Sequence, residues 1–86
     1  RRRSMSQKHN HLYKCLGEVI SSRRKQLGMS QKDLSEKSGV DRVFISNLEQ
    51  GKRKPSFGAI HDIAQGLRLK YSRFVGKCEQ CVEESA

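Results

Sequence analysis

Residues 30–51, SQKDLSEKSGVDRVFISNLEQG, contain two short amphipathic patterns separated by a glycine. Ser30 can cap the first helix, and Asp33 three residues on supplies the returning acceptor of a capping box, with Asp in place of the usual Glu or Gln. Leu34 and Ser38 share one face, and small Ser35 beside Leu34 leaves room for another helix to approach closely. Gly39 falls where the chain must leave the helix, a position suited to the positive φ that glycine adopts cheaply. Val40 then plugs the core beneath the turn, Asp41 caps a second helix from Arg42 to about Gln50, and Gly51 ends it. Within that second helix Ile45, Leu48 and Glu49 fall on one face, leaving Arg42, Val43, Ser46, Asn47 and Gln50 on or near the other. A helix of this kind, held by a shorter one and showing polar side chains outward, suits the DNA major groove.

The same periodicity extends on both sides. Helix one carries Leu12, Leu16, Val19, Ile20 and Leu27 at helical spacing and is expected to stop at Gly28. Helix four carries Phe57, Ile60, Ile63, Ala64 and Leu67 after a capping Ser56, and helix five carries Tyr71, Phe74, Val75 and Cys78. No segment shows the period-two alternation of a half-buried strand, and Gly39, Gly51 and Gly66 fall at or near predicted helix ends. The expected fold class is all-α, with five helices. Arg24 lies on the apolar face of helix one and Glu49 on that of helix three. A lone buried charge costs several kcal/mol in order of magnitude, so two opposite charges on facing apolar surfaces are expected to pair as a structural link between these helices.

From about Leu16 to Val75 the chain resembles the Cro and phage-repressor type of helix-turn-helix, the XRE family of transcriptional regulators. The resemblance rests on Leu16-Gly17 and Arg23-Arg24 upstream, S-Q-K-D-L in the positioning helix, S-G-V in the turn, and I-S-N-L-E-Q-G-K-R-K-P at the close of the recognition helix. Asp41 stands where the family usually has Ser or Thr and Ser35 where it usually has Ala; both keep the physical role. The resemblance implies a lambda-repressor-like DNA-binding domain with the helix-turn-helix as helices two and three, the same Arg24–Glu49 pairing, and base reading at the first, second and sixth positions of the recognition helix, here Arg42, Val43 and Asn47.

Position assigns the remaining contacts. Arg42, at a helix start, can donate two hydrogen bonds to guanine, and Val43 can lie against a thymine methyl. Ser46 and Asn47 reach a phosphate or a base edge, while Phe44 either faces the groove or turns inward. Gln31 can offer its side-chain amide and backbone N–H to a phosphate, helped by the helix dipole. Gln50 and Lys52-Arg53-Lys54 read as backbone clamps, with Pro55 forcing an extended lead into helix four. A single short recognition helix covers few base pairs, so a homodimer on a palindromic operator is expected, its half-sites about one helical turn apart. Tyr71, Val75, Cys78 and Val82 form the dimer stripe, with Phe74 shared with the core.

At 86 residues the chain is expected to form one domain burying about 60% of its unfolded surface. Residues 1–11 read as a flexible basic segment, with residues 1–4 a cloning remnant before Met5. Residues 12–77 form the DNA-binding domain, and residues 78–86 extend helix five. The formal charge is +9, and it is uneven: residues 1–58 hold fourteen Lys and Arg against five Asp and Glu, residues 59–86 four against four. Combined with the motif, this is the footprint of a phosphate-binding surface on double-stranded DNA. No apolar run reaches the roughly 18 residues of a membrane span, and no signal-peptide core follows the basic start, so a cytoplasmic location without membrane contact is expected.

Cys78-Glu-Gln-Cys81 has the spacing of zinc and redox sites, and Cys15, His9, His11 and His61 could add ligands. A second paired ligand motif is missing apart from the weak His9-Asn-His11, so no metal and no cofactor is expected, and cytosolic thiols should be reduced. No nucleophile, base and oxyanion donor group together, which argues against an enzyme. The expected function is sequence-specific transcriptional regulation, and a small restriction–modification controller is the nearest in size and plan. The alternative is an antitoxin-like module that docks a partner protein through the nearly neutral C-terminal half and binds DNA secondarily. Contact with RNA polymerase or another protein would need a surface patch, and the sequence singles out none.

Overall fold

A computed structural model describes residues 9–85 as five helices: α1 (Asn10–Gln26), α2 (Gln31–Ser38), α3 (Arg42–Glu49), α4 (Phe57–Gly66) and α5 (Tyr71–Ser85). Among the described residues there is no strand, and the protein is all-α, as its sequence periodicity indicates. Residues 1–8 and 86, including the expected cloning remnant, lie outside the described residues. The first helix begins at Asn10, so residues 10 and 11 belong to it and not to a flexible leader. α5 continues past Cys78 to Ser85 without a break. None of these helices is long and apolar enough to cross a membrane.

Local sequence fixes the helix ends. Ser30 Oγ accepts from the Asp33 backbone N–H at 3.0 Å while Asp33 Oδ2 accepts from the Ser30 N–H at 3.0 Å, completing the capping box. The Ser30 backbone N–H, and after it the Ser30 hydroxyl, stabilise the charged carboxylate and hold Asp33 below its ordinary range. Asp41 Oδ2 accepts from Val43 and Phe44 N–H at 3.0 and 3.3 Å, and Ser56 Oγ from Ala59 N–H at 3.0 Å. Gly39 and Gly51 take left-handed φ of 77° and 76° directly after α2 and just after α3.

The core gathers Leu16, Ile20, Met29, Leu34, Ile45, Leu48, Ile63, Ala64, Leu67, Phe74 and Cys78. α1 packs against α5 and α3, α2 against α3 and α4, and α4 against α5. Two apolar residues expected inside are outside: Leu12 is 40% exposed and Phe57 73% exposed. Each sits in the first turn of its helix.

Ser35 has a further role in the turn. Ser35 Oγ donates to the Val40 carbonyl at 2.6 Å and so fastens the turn. Gly66 admits α2, since a Cβ there would lie 2.9 Å from Leu34 Cδ1 and 3.0 Å from Ser38 Cβ. Gly66 is helical, and the left-handed residue of the following turn is Arg68, φ 59°. Gly17 plays the same part between α1 and α3: a Cβ there would collide with the Leu48 carbonyl and lie 2.7 Å from that of Glu49.

The cysteines depart from expectation. Cys15 on α1 and Cys81 on α5 form a disulfide with Cα atoms 5.8 Å apart, within the span such a bridge requires. Cys78 is the free thiol and is buried; burial pushes it from 9.0 up to about 11. The C-x-x-C motif therefore does not converge on one point, because one sulfur faces the core and the other faces α1.

Candidate nucleic-acid interface

The recognition helix is held from behind. Arg24 Nε donates to Glu49 Oε2 at 2.7 Å and Nη2 to Oε1 at 2.9 Å, while Nη1 donates to the Met29 carbonyl at 2.9 Å. Both side chains are nearly out of water. The bonds from the Arg24 guanidinium to Glu49 outweigh the cost of burial and push Arg24 above its already high ordinary value. This bidentate fork joins α1 to the last residue of α3, and Gly17 lets the two helices close to backbone contact. Arg23, the preceding residue, points the other way and donates to the Leu67 carbonyl at 3.0 Å, tying α1 to the turn between α4 and α5. Reading Arg23 only as part of a motif missed this second anchor.

Outward from this support, α3 exposes Arg42 and Val43, Val43 being 58% exposed. Ser46 and Asn47 are half-buried one turn on. The Asp41 cap fixes the first turn of α3, and no Arg42–Asp41 ion pair forms among the described residues, so the Arg42 guanidinium remains available. Gln50 Nε2 donates to Ser46 Oγ at 3.2 Å, which holds the end of the face in place. Lys52, Arg53 and Lys54 are exposed beside it, and Arg53 lies over the Phe44 ring at 5.2 Å from its centroid. Phe44 is half-buried against the core and so takes the inward of its two expected positions.

Gln31 has a second engagement. Its side-chain amide donates one of its two N–H groups to Glu49 Oε1 at 3.0 Å, which makes it a third partner of the buried pair. The backbone N–H of Gln31 and the helix dipole lie at the start of the same helix.

The proposed dimer stripe divides. Cys78, 6% exposed, belongs to the core and is not available to a partner. Val75 is 39% exposed, while Tyr71 and Val82 are half-buried. Beside them Phe57, 73% exposed, packs its ring on that of Tyr71 with centroids 4.9 Å apart, joining the starts of α4 and α5.

Comparison with known proteins agrees with this geometry. The family described as "Helix-turn-helix" matches residues 20–74. An uncharacterized HTH-type transcriptional regulator of Mycobacterium tuberculosis, Rv0474, is 40% identical over 53 residues, covering 62% of this chain and 38% of its own length. The immunity repressor protein of Bacillus phage phi105 is 28% identical over 71 residues, 83% of this chain and 49% of its own. The chain thus spans well under two thirds of these relatives. Among solved structures, the restriction–modification controller protein C.Esp1396I, a tetramer in complex with its natural 35 base-pair operator, superposes with a TM-score of 0.77 at 29% identity, covering 84% of this chain and 95% of that one. The motif, the five-helix fold and these likenesses agree: the chain belongs to the XRE-type helix-turn-helix family, whose named relatives are transcriptional regulators.

Proposed function

We propose that this chain is a DNA-binding transcriptional regulator that recognises a near-palindromic operator as a homodimer, each copy laying α3 in a major groove. The carrying observation is the α3 surface itself: an exposed arginine at a capped helix start, small and amide side chains behind it, and a cationic loop beside it, all on a helix locked to α1. In this reading Arg42, Val43, Ser46 and Asn47 meet base edges. The Gln31 backbone N–H, Gln50, Lys52, Arg53 and Lys54 hold phosphates. Tyr71, Val75 and Val82, joined by Phe57, supply the apolar surface between two copies, which covers side chains that otherwise stay wet. The C.Esp1396I structures on operator DNA and on a 19 base pair duplex support the placement by likeness, and the phage relative favours repression as the sign of control.

The test is selection of bound duplexes from a random pool by the purified chain, with mass measured in solution on the same sample. A palindromic consensus and a dimeric mass are expected. Recovery without a consensus would overturn the reading and favour the antitoxin-like alternative, in which partner docking is primary.

A further inference from the structure

The disulfide has a carboxylate neighbour. Glu18, one turn after Cys15 on α1, brings Oε1 to 3.8 Å from Cys81 Sγ, and the two sulfurs and a Glu18 carboxylate oxygen all lie within 4.8 Å of one another. A disulfide carries no proton to donate and no charge, so in the oxidised chain the Glu18 contact is no hydrogen bond and follows from the one-turn spacing of Cys15 and Glu18 on α1. Two thiolates and a carboxylate converging from two helices are, by contrast, a donor set for a borderline-soft divalent cation. The distances fit such an ion. With metal–sulfur bonds of about 2.3 Å and metal–oxygen bonds of about 2.1 Å, a tetrahedral site has a sulfur–oxygen edge of roughly 3.6 Å and a sulfur–sulfur edge of roughly 3.8 Å. The first edge is nearly in place, and the second needs only side-chain rotation once the sulfurs are no longer bonded to each other.

We propose that Cys15, Glu18 and Cys81 form a zinc-class cation site when the disulfide is reduced, so that the same two sulfurs fasten α5 to α1 either through each other or through a metal. The donor set differs from the Cys78–Cys81 pair suggested by the sequence, because Cys78 lies in the core. The fourth position would face the groove between α1 and α5 that Glu18, Cys81 and Glu84 line, where a water can complete the set. Opening the disulfide takes two electrons and two protons from a dithiol reductant, which itself closes to a disulfide. Metal binding then releases the two thiol protons to solvent.

The test uses the full chain, reduced and freed of reductant without oxygen, with Co2+ as the spectroscopic probe and Zn2+ as competitor. Binding of one equivalent with near-ultraviolet thiolate-to-cobalt charge transfer is expected, displaced by Zn2+ and absent from the oxidised chain. Cys78→Ala should keep the signal and Cys81→Ser should lose most of it, while Glu18→Gln, at an exposed position, should weaken binding about tenfold or more. A reduced chain without charge transfer, a signal that survives Cys81→Ser, or a disulfide that stays closed in the folded protein under excess dithiol would each overturn the proposal.

Discussion

Removing one partner of the Arg24–Glu49 pair should damage the protein far more than removing both. In Glu49→Leu the guanidinium loses its bonds of 2.7 and 2.9 Å and keeps only the one to the Met29 carbonyl, in a site nearly closed to water. Arginine cannot escape by losing its proton. An uncompensated buried charge costs about 3–5 kcal/mol, a large share of the roughly 5–15 kcal/mol that holds a domain folded. Arg24→Met should cost a similar amount, because the Glu49 carboxylate is left with the neutral amide of Gln31 alone. In the double variant Arg24→Met/Glu49→Leu both desolvation penalties vanish and apolar side chains of similar bulk meet across α1 and α3. Stability within about 1 kcal/mol of the parent, or above it, is expected. Urea unfolding of all four proteins at neutral pH, analysed with a common slope, measures the cycle. If the double variant lost the sum of the two singles, the two side chains would be uncoupled and the reasoning refuted. Single losses under about 1 kcal/mol would mean that water reaches the pair.

The same geometry bears on packing, DNA binding and the cysteines. Gly17→Ala gains about 1 kcal/mol of helix propensity but drives a methyl against the last carbonyls of α3; a net loss of about 1–3 kcal/mol, read by thermal unfolding, is expected from overpacking. On the proposed operator, Arg42→Ala should relax preference at one base pair by about 1–3 kcal/mol, whereas Lys52→Ala should weaken all duplexes alike and lower the salt slope by about 0.9 in binding titrations. The Cys78 thiol is raised from 9.0 to about 11 in the folded chain, so the folded state favours its neutral form. Its contribution is full below pH 9.0 and is lost as pH rises through about 11; the parent should lose stability across that window relative to Cys78→Ala. Closing a loop of 66 residues, the Cys15–Cys81 bridge should contribute about 4 kcal/mol on chain-entropy grounds, which unfolding in urea with and without a dithiol, in the presence of a chelator, would reveal.

Much of the fold was legible because it is written in local signals. Ser30, Asp33, Asp41 and Ser56 are caps that act within three residues, and Gly39 and Gly51 mark turns by a backbone property. Helical periodicity placed Leu34, Ile45, Leu48, Ile63 and Phe74 inside. It failed at Leu12 and Phe57 because a period reports the face of a helix and not where the opposing surface ends. Cys78 was misassigned for a related reason: Phe74, Val75 and Cys78 lie close together on α5, and only the position of α1 decides which of them is covered. The disulfide was beyond reach of sequence, since Cys15 and Cys81 meet only through the antiparallel packing of α1 on α5. The assumption of reduced thiols was a statement about a compartment and not about geometry.

The candidate site was easier to read than its support. Arg42, Val43, Ser46 and Asn47 are defined by one helix and one cap, so spacing alone puts them on the outer face. What aims that face is spread over α1. Gly17 admits the C-terminal end of α3, Arg24 grips its last residue, and the Lys14 backbone packs against Gly51 just beyond it. Arg23 then ties the opposite side of α1 to the turn before α5, and Cys15 ties it to α5 itself. The α1 helix is therefore the part that joins the proposed DNA-facing helix to the proposed dimer-forming helix. Two recognition helices can match two half-sites only if that connection is stiff, because the spacing between half-sites is set by the duplex. A change confined to α1 that leaves every proposed DNA contact untouched can thus alter operator spacing, which no contact residue on α3 can do.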